Sequence, residues 1–426
     1  MRRLFAMFVV VLIVMAGGMT IGRSGSAAQP AVRLGAAAQS ASDEPSTAHE
    51  HAASRGEVET LLGHHSTLAV RFMRATITGD PGFVDVADAA VVRNTNDLGA
   101  ALRSLIGRAR AERFAELWER RTNALFQYAQ AVRDDDSETQ QQARARLDRH
   151  VDDLAALLDN ATAGRLSKAD VTRTMRAENR QLIAQLDAFA AEDYQAAYRH
   201  QREAYATVFP FGRALVGAAR RTGSAGRTPP TAELSATFSQ LLGEHVELAV
   251  DAMRSGVSGG ADFEAAAGAL NANTREVAGA MDSLFGPKRA KRFNNLWADH
   301  IELFVDYTVA VAEDDDDEKQ RVKVSFDKVI DRLKTTIGTM AGGTIDSRKV
   351  QEALVAHETQ LFRQIEAYVA GEYEEAHDIS YTAYQHMRQT AGTLATGFAT
   401  AAARKLPSGG VDTGGGGTAA TIHGAR

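Results

Sequence analysis

The chain has no cysteine among its 426 residues. That absence removes disulfides, thiolate zinc sites, cysteine-held iron–sulfur clusters, covalent c-type haem and thiol nucleophiles together. Any metal would rest on histidine, carboxylate or methionine. Proline is scarce: there are 8, with none in 82–209 or 288–406. Such stretches suit long helices and do not suit a turn-rich β protein. Positive charge is not in excess either. With 48 basic and 54 acidic side chains the net charge is −6, which argues against nucleic acid as a partner. There is no phosphate loop, no Gly-x-Gly-x-x-Gly after a strand and no His-Glu-x-x-His. The repeated Glu-x-x-His of di-iron carboxylate bundles is missing as well. The length exceeds what a single core usually organises, so more than one domain is expected.

What is present begins with an export signal. Met1-Arg2-Arg3 precedes an apolar run from Leu4 to Met15, and Ser26-Ala27-Ala28 fits a small-residue cleavage pattern. A retained anchor is the rival reading. Losing 1–28 takes away Arg2, Arg3 and Arg23, so the net charge of −6 becomes −9. The expected location is secreted or at the cell envelope. Residues 29–56 read as a flexible leader rich in Ala, Ser, Gln and Pro, and 407–426 as a disordered Gly-rich tail.

Between these ends one unit is written twice. Leu61-Leu62-Gly63-His64-His65 returns as Leu241-Leu242-Gly243-Glu244-His245. Phe114 to Trp118 returns as Phe293 to Trp297, and these are the only 2 Trp in the chain. Tyr128 matches Tyr307, Gln181-Leu182 matches Gln360-Leu361, and Asp193-Tyr194 matches Glu372-Tyr373. The offset stays within 177–180. A constant offset over so long a stretch indicates duplication of a whole domain and not a solenoid repeat. The expected layout is unit 1 over 57–221, a linker at 222–230 and unit 2 over 231–406. Apolar spacing around Trp297 and from Val350 to Tyr368 is helical. Breaks at Gly256–Gly260, Gly286-Pro287, Asp314–Asp317, Gly342-Gly343 and near Gly371 divide unit 2 into about six helices. The predicted fold is all-α: two tandem homologous antiparallel helical bundles. The acidic run Glu313 to Glu318 lacks the spacing and Gly of an EF-hand, and reads as a solvated turn that starts a helix.

The histidines separate the units. In unit 2, His245 lies among Leu241, Leu242, Leu248 and Ala249; His300 among Leu296, Trp297, Leu303 and Phe304; His357 among Ala353, Leu354 and Leu361. Neighbours at i±3 and i±4 share a helix face, so all three point toward the core from different helices. His386, beside Ala383 and Met387, is the fourth candidate ligand. A core histidine must satisfy both ring nitrogens. Each can do so on a buried Tyr, Glu or carbonyl, but several converging imidazoles make a metal or haem site. His377 in a Tyr stripe, Met253, Met387 and Glu358 are possible auxiliaries, Glu358 as an acceptor that fixes the His357 tautomer. In unit 1, His65 is retained, but Arg121 stands at the His300 position and Glu178 at that of His357. This reads as a degenerate site filled by an Arg121–Glu178 ion pair, since either charge buried alone would be unfavourable.

The motifs Leu-Leu-Gly-Glu-His245, Leu-Trp-Ala-Asp-His300, Ala-His357-Glu-Thr-Gln-Leu and Ala-Tyr-Gln-His386-Met387 resemble those of exported two-repeat helical proteins of Gram-positive bacteria often labelled "copper amine oxidase". The resemblance covers about 57–400 and implies the two-unit layout and recurrent histidines. It does not carry the oxidase chemistry, because the cofactor of that enzyme grows from a Tyr in an Asn-Tyr-Asp/Glu setting and no Asn-Tyr pair occurs here. The functional expectation is an exported metal-binding protein, copper first, zinc or b-type haem next, with its site in unit 2. The alternatives are an envelope scaffold with structural histidines and a protein partner, and a small metallo-oxidoreductase. An enzymatic role is the less favoured.

Overall fold

A computed structural model of the chain describes residues 45–79, 81–220 and 230–404. The signal at 1–28, the leader up to residue 44, the linker at 222–229 and the tail at 407–426 lie outside the described residues. Among those described, every regular element is a helix. The first half holds α1 (Pro45–Thr78), α2 (Pro81–Ile106), α3 (Arg108–Arg133), α4 (Ser137–Ala161), α5 (Lys168–Ala190) and α6 (Tyr194–Ala219). The second holds α7 (Pro230–Ser258), α8 (Phe263–Phe285), α9 (Pro287–Ala312), α10 (Asp316–Met340), α11 (Ser347–Val369) and α12 (Tyr373–Ala403). α1 starts at Pro45, so 45–56 of the segment read as leader is helical. Pro fits the first helical turn, where its missing N–H is not needed.

Local chemistry sets the helix ends. The acidic run is a capping turn: Asp314 takes φ 54° and Asp315 accepts from the Glu318 N–H at 2.8 Å. In the first half Asp135 takes φ 53° and Asp136 accepts from the Thr139 N–H at 3.0 Å. Carboxylates at these ends also suit the helix dipole. Consecutive helices pack on one another, making a helical bundle.

α1 and α7 lie at the centre and touch each other. Every residue from Val58 to Thr76 is buried, as is every residue from Leu241 to Val250. A helix buried all round has no solvent face to display. Close approach here depends on glycine. A Cβ at Gly63 would lie 2.8 Å from Phe209, and one at Gly243 would lie 2.8 Å from the Tyr205 hydroxyl. The space a side chain would occupy is filled by Tyr205 and Tyr384, whose hydroxyls sit 3.0 Å apart. Tyr205 donates to the Gln240 carbonyl and Tyr384 to the Thr60 carbonyl, each at 3.1 Å.

The cores interlock. The second-half core, built from residues between Leu234 and Phe398, includes Tyr198 of α6. A first-half core between Val58 and Ala218 includes Tyr384 of α12. Charge also crosses the seam: Arg71 of α1 meets Glu247 at 2.6 Å and Asp251 at 2.8 Å on α7.

Polar contacts recur at matching positions of the halves. Gln185 joins Arg74 and the Met73 sulfur, as Gln364 joins Arg254 and the Met253 sulfur. Tyr128 donates to Asp187 and Tyr307 to Glu366. Asn94 donates to the Leu61 carbonyl and Asn273 to that of Leu241.

Candidate metal centre

Three helices of the second half each turn one histidine into the core: His245 from α7, His300 from α9 and His357 from α11. One ligand nitrogen from each lies within 4.8 Å of the others. The ring centroids are 5.4 Å (His245–His300), 5.7 Å (His245–His357) and 5.9 Å (His300–His357) apart. All three are buried. Trp297 and Phe304 wall the cluster, the indole 4.8 Å from both His245 and His300 by ring centroid.

The hydrogen bonding is unequal. His300 Nδ1 donates to the Trp297 carbonyl at 3.0 Å, which fixes the tautomer and leaves Nε2 with a lone pair. His245 and His357 have no hydrogen-bond partner at either nitrogen. A buried polar group left this way costs about 1–3 kcal/mol. Burial pushes the pKa of all three histidines down. His245 and His357 fall well below the usual range, each lowered further by neighbouring histidines. His300 falls to about 4, the Trp297 carbonyl opposing the burial. The three are neutral at pH 7, the form in which imidazole binds a metal.

The first half supplies an internal comparison. His65 there donates from Nδ1 to Asn94 Oδ1 at 3.2 Å. Asn273 stands at the matching position, bonded to the Leu241 carbonyl as Asn94 is to that of Leu61, and its Oδ1 is buried without a partner, as is His245 Nδ1. Closing that bond would hold His245 as His300 is held, with Nε2 toward the cluster. Arg121 and Glu178 meet at 2.9 Å, both wholly buried, and Arg121 also donates to Asn179 at 2.9 Å.

The other expected site residues are elsewhere or otherwise engaged. His386 does not join the converging trio, because its Nε2 donates to the Ala353 carbonyl at 3.1 Å. It lines the adjoining cavity instead. His377 faces the seam between the halves, 3.4 Å from Arg254 Nη1. The Met253 sulfur accepts from Gln364 at 3.9 Å, and Met387 is a core residue. Glu358 does not bond His357; burial and Asp327 push its carboxyl up to about 7, with Lys323 opposing.

Two buried histidines escaped the sequence reading. His64 stacks on Tyr384 at 4.2 Å and lies 3.5 Å from Glu247. His150 of α4 lies against Trp118, its pKa lowered to about 3 by burial and Arg121. The available signal for His64 was that Leu61 to Val70 of α1 holds, apart from His64 and His65, only Leu, Gly, Ser, Thr, Ala and Val, a stretch with no charged face to turn to solvent. His150 offered none beyond Leu147, Val151 and Leu154 on its own helix. No family model, curated protein or solved structure matches the chain.

Proposed function

We propose that this is an exported protein of two homologous six-helix antiparallel bundles. In this reading the second bundle holds one metal ion on His245, His300 and His357. The observation that carries the metal reading is the convergence of three buried neutral imidazoles, two of them with no hydrogen bond at all. Metal–nitrogen bonds of about 2.0–2.1 Å put the nitrogens of a shared ion about 3.4 Å apart. The 4.8 Å limit is wider, so an ion would have to draw the rings together by the difference. The recurring polar contacts, Gln185 with Gln364 above all, support the duplication. The signal-like start at Met1 supports export.

The donor set favours copper, then zinc. No carboxylate joins the trio among the described residues. The penalty for burying an ion grows with the square of its charge, so a monovalent ion fits best. A divalent ion fits next, since imidazole suits it as a ligand. Haem fits less well: Trp297, Phe304 and Phe326 pack against the imidazoles where a macrocycle would lie.

The test is element analysis of the purified chain after exposure to Cu or Zn, beside His300→Ala. The parent is expected to hold one ion per chain and the variant almost none. Equal content in both would refute the site. A second expectation concerns Asn273. Asn273→Leu should weaken affinity about 10–100-fold, the usual effect of losing a partner behind a ligating histidine. Competition with a chromophoric chelator measures it, and unchanged affinity would remove Asn273 from the site.

A further inference from the structure

We propose, resting on the metal reading above, that the centre is open on one side to an external ligand. That ligand would be a small, neutral, largely apolar molecule carrying one nitrogen or oxygen donor. Three histidines leave an ion short of its usual four partners. The missing position has somewhere to face. A cavity of about 400 Å³ lies against the trio, with His300 and His357 in its wall. Its apolar walls include Phe238, Leu242, Val277, Met281, Phe293 and Ile337. His245 is not part of that wall. It borders instead a space of about 30 Å³, room for roughly one water, with Met253 and Phe304. Of these two spaces among the described residues, the roomy one therefore lies against His300 and His357.

The cavity reaches solvent between α11 and α12, where Lys349, Glu352, Gln389 and Thr393 line it and are exposed. One cation and one anion at this rim select for neither sign. The inner wall carries no charged side chain, so a charged body would lose its hydration without recompense. The volume falls at the lower end of small-molecule sites, about 300–1,000 Å³. One further group points to a ligand rather than to empty space. Trp297 lines the cavity, and its indole N–H is buried without an acceptor. A donor atom bound at the ion, with a second lone pair, could accept that hydrogen.

The experiment uses the full chain loaded with Co(II), whose visible absorption reports coordination, titrated with 4-phenylimidazole, imidazole and azide. 4-Phenylimidazole should perturb the spectrum and bind at least about tenfold more tightly than imidazole, since burying the phenyl ring contributes a few kcal/mol at most. Val277→Phe, which fills the wall, should erase that advantage while cobalt content stays at one per chain. Thr390→Phe, at the half-buried edge of the same cavity, is the second variant should the first not fold. Bound cobalt that answers none of the three probes means a closed centre and overturns the proposal. Equal affinity for imidazole and 4-phenylimidazole overturns the apolar ligand, and a preference for azide overturns the neutral one. A chain that takes up no cobalt refutes the metal reading itself, and this inference falls with it.

Discussion

Replacing Glu178 with alanine is expected to destabilise the protein by about 3–5 kcal/mol, the usual result of stranding one member of a buried ion pair. Arg121 and Glu178 are wholly buried and 2.9 Å apart. Without Glu178 the guanidinium keeps Asn179 and the face of Trp118, and no carboxylate. That loss is a large part of a domain's typical stability of about 5–15 kcal/mol. The pair itself is not a strong stabiliser. Burial pushes the Glu178 carboxyl up further than Arg121 draws it down. Arg121→Met combined with Glu178→Leu should therefore recover most of the loss. Urea unfolding of the parent and the two variants decides it. A single-variant loss below about 1 kcal/mol would show the charge to be satisfied some other way.

The second large effect concerns the same place. Arg121→His together with Glu178→His should raise metal uptake from one ion per chain to two. These positions on α3 and α5 match those of His300 and His357, and His65 already faces them with Nδ1 held by Asn94 and Nε2 free of hydrogen bonds. The framework around them is retained in Trp118, Tyr128 and Leu182, all buried as Trp297, Tyr307 and Leu361 are. Combining the graft with His300→Ala gives the control: content should return to one, now carried by the first half. A graft that still binds a single ion, lost on His300→Ala, would mean that position alone does not make the site.

Much of this was legible because helix periodicity is local. Neighbours three and four residues away placed His245, His300 and His357 on inward faces, and the helices bring those faces together. Glycine pairs and the acidic turn marked the breaks for the same reason. What stayed hidden depends on which helix lies opposite. Nothing near His386 in the chain announces the Ala353 carbonyl that takes its Nε2. His377 shares a stripe with Tyr381 and Tyr384, yet meets Arg254 of α7. Met253 reads as a soft ligand until Gln364 of α11 claims its sulfur. The central charge network of Arg71, Glu247 and Asp251 was illegible because Arg71 and Glu247 lie in stretches of α1 and α7 that are buried on every side.

The exchanged tyrosines bear on why a half without the histidine trio persists. Tyr198 completes the core of the half that follows it, and Tyr384 completes that of the half before it. Neither half has a whole interior when the other is unfolded. A core substitution in the first half would thus erode the folded population that presents the trio, with no contact to it. Selection on ligand binding would then act on both halves as one inheritance, and the half without the trio would be kept for the tyrosine it lends.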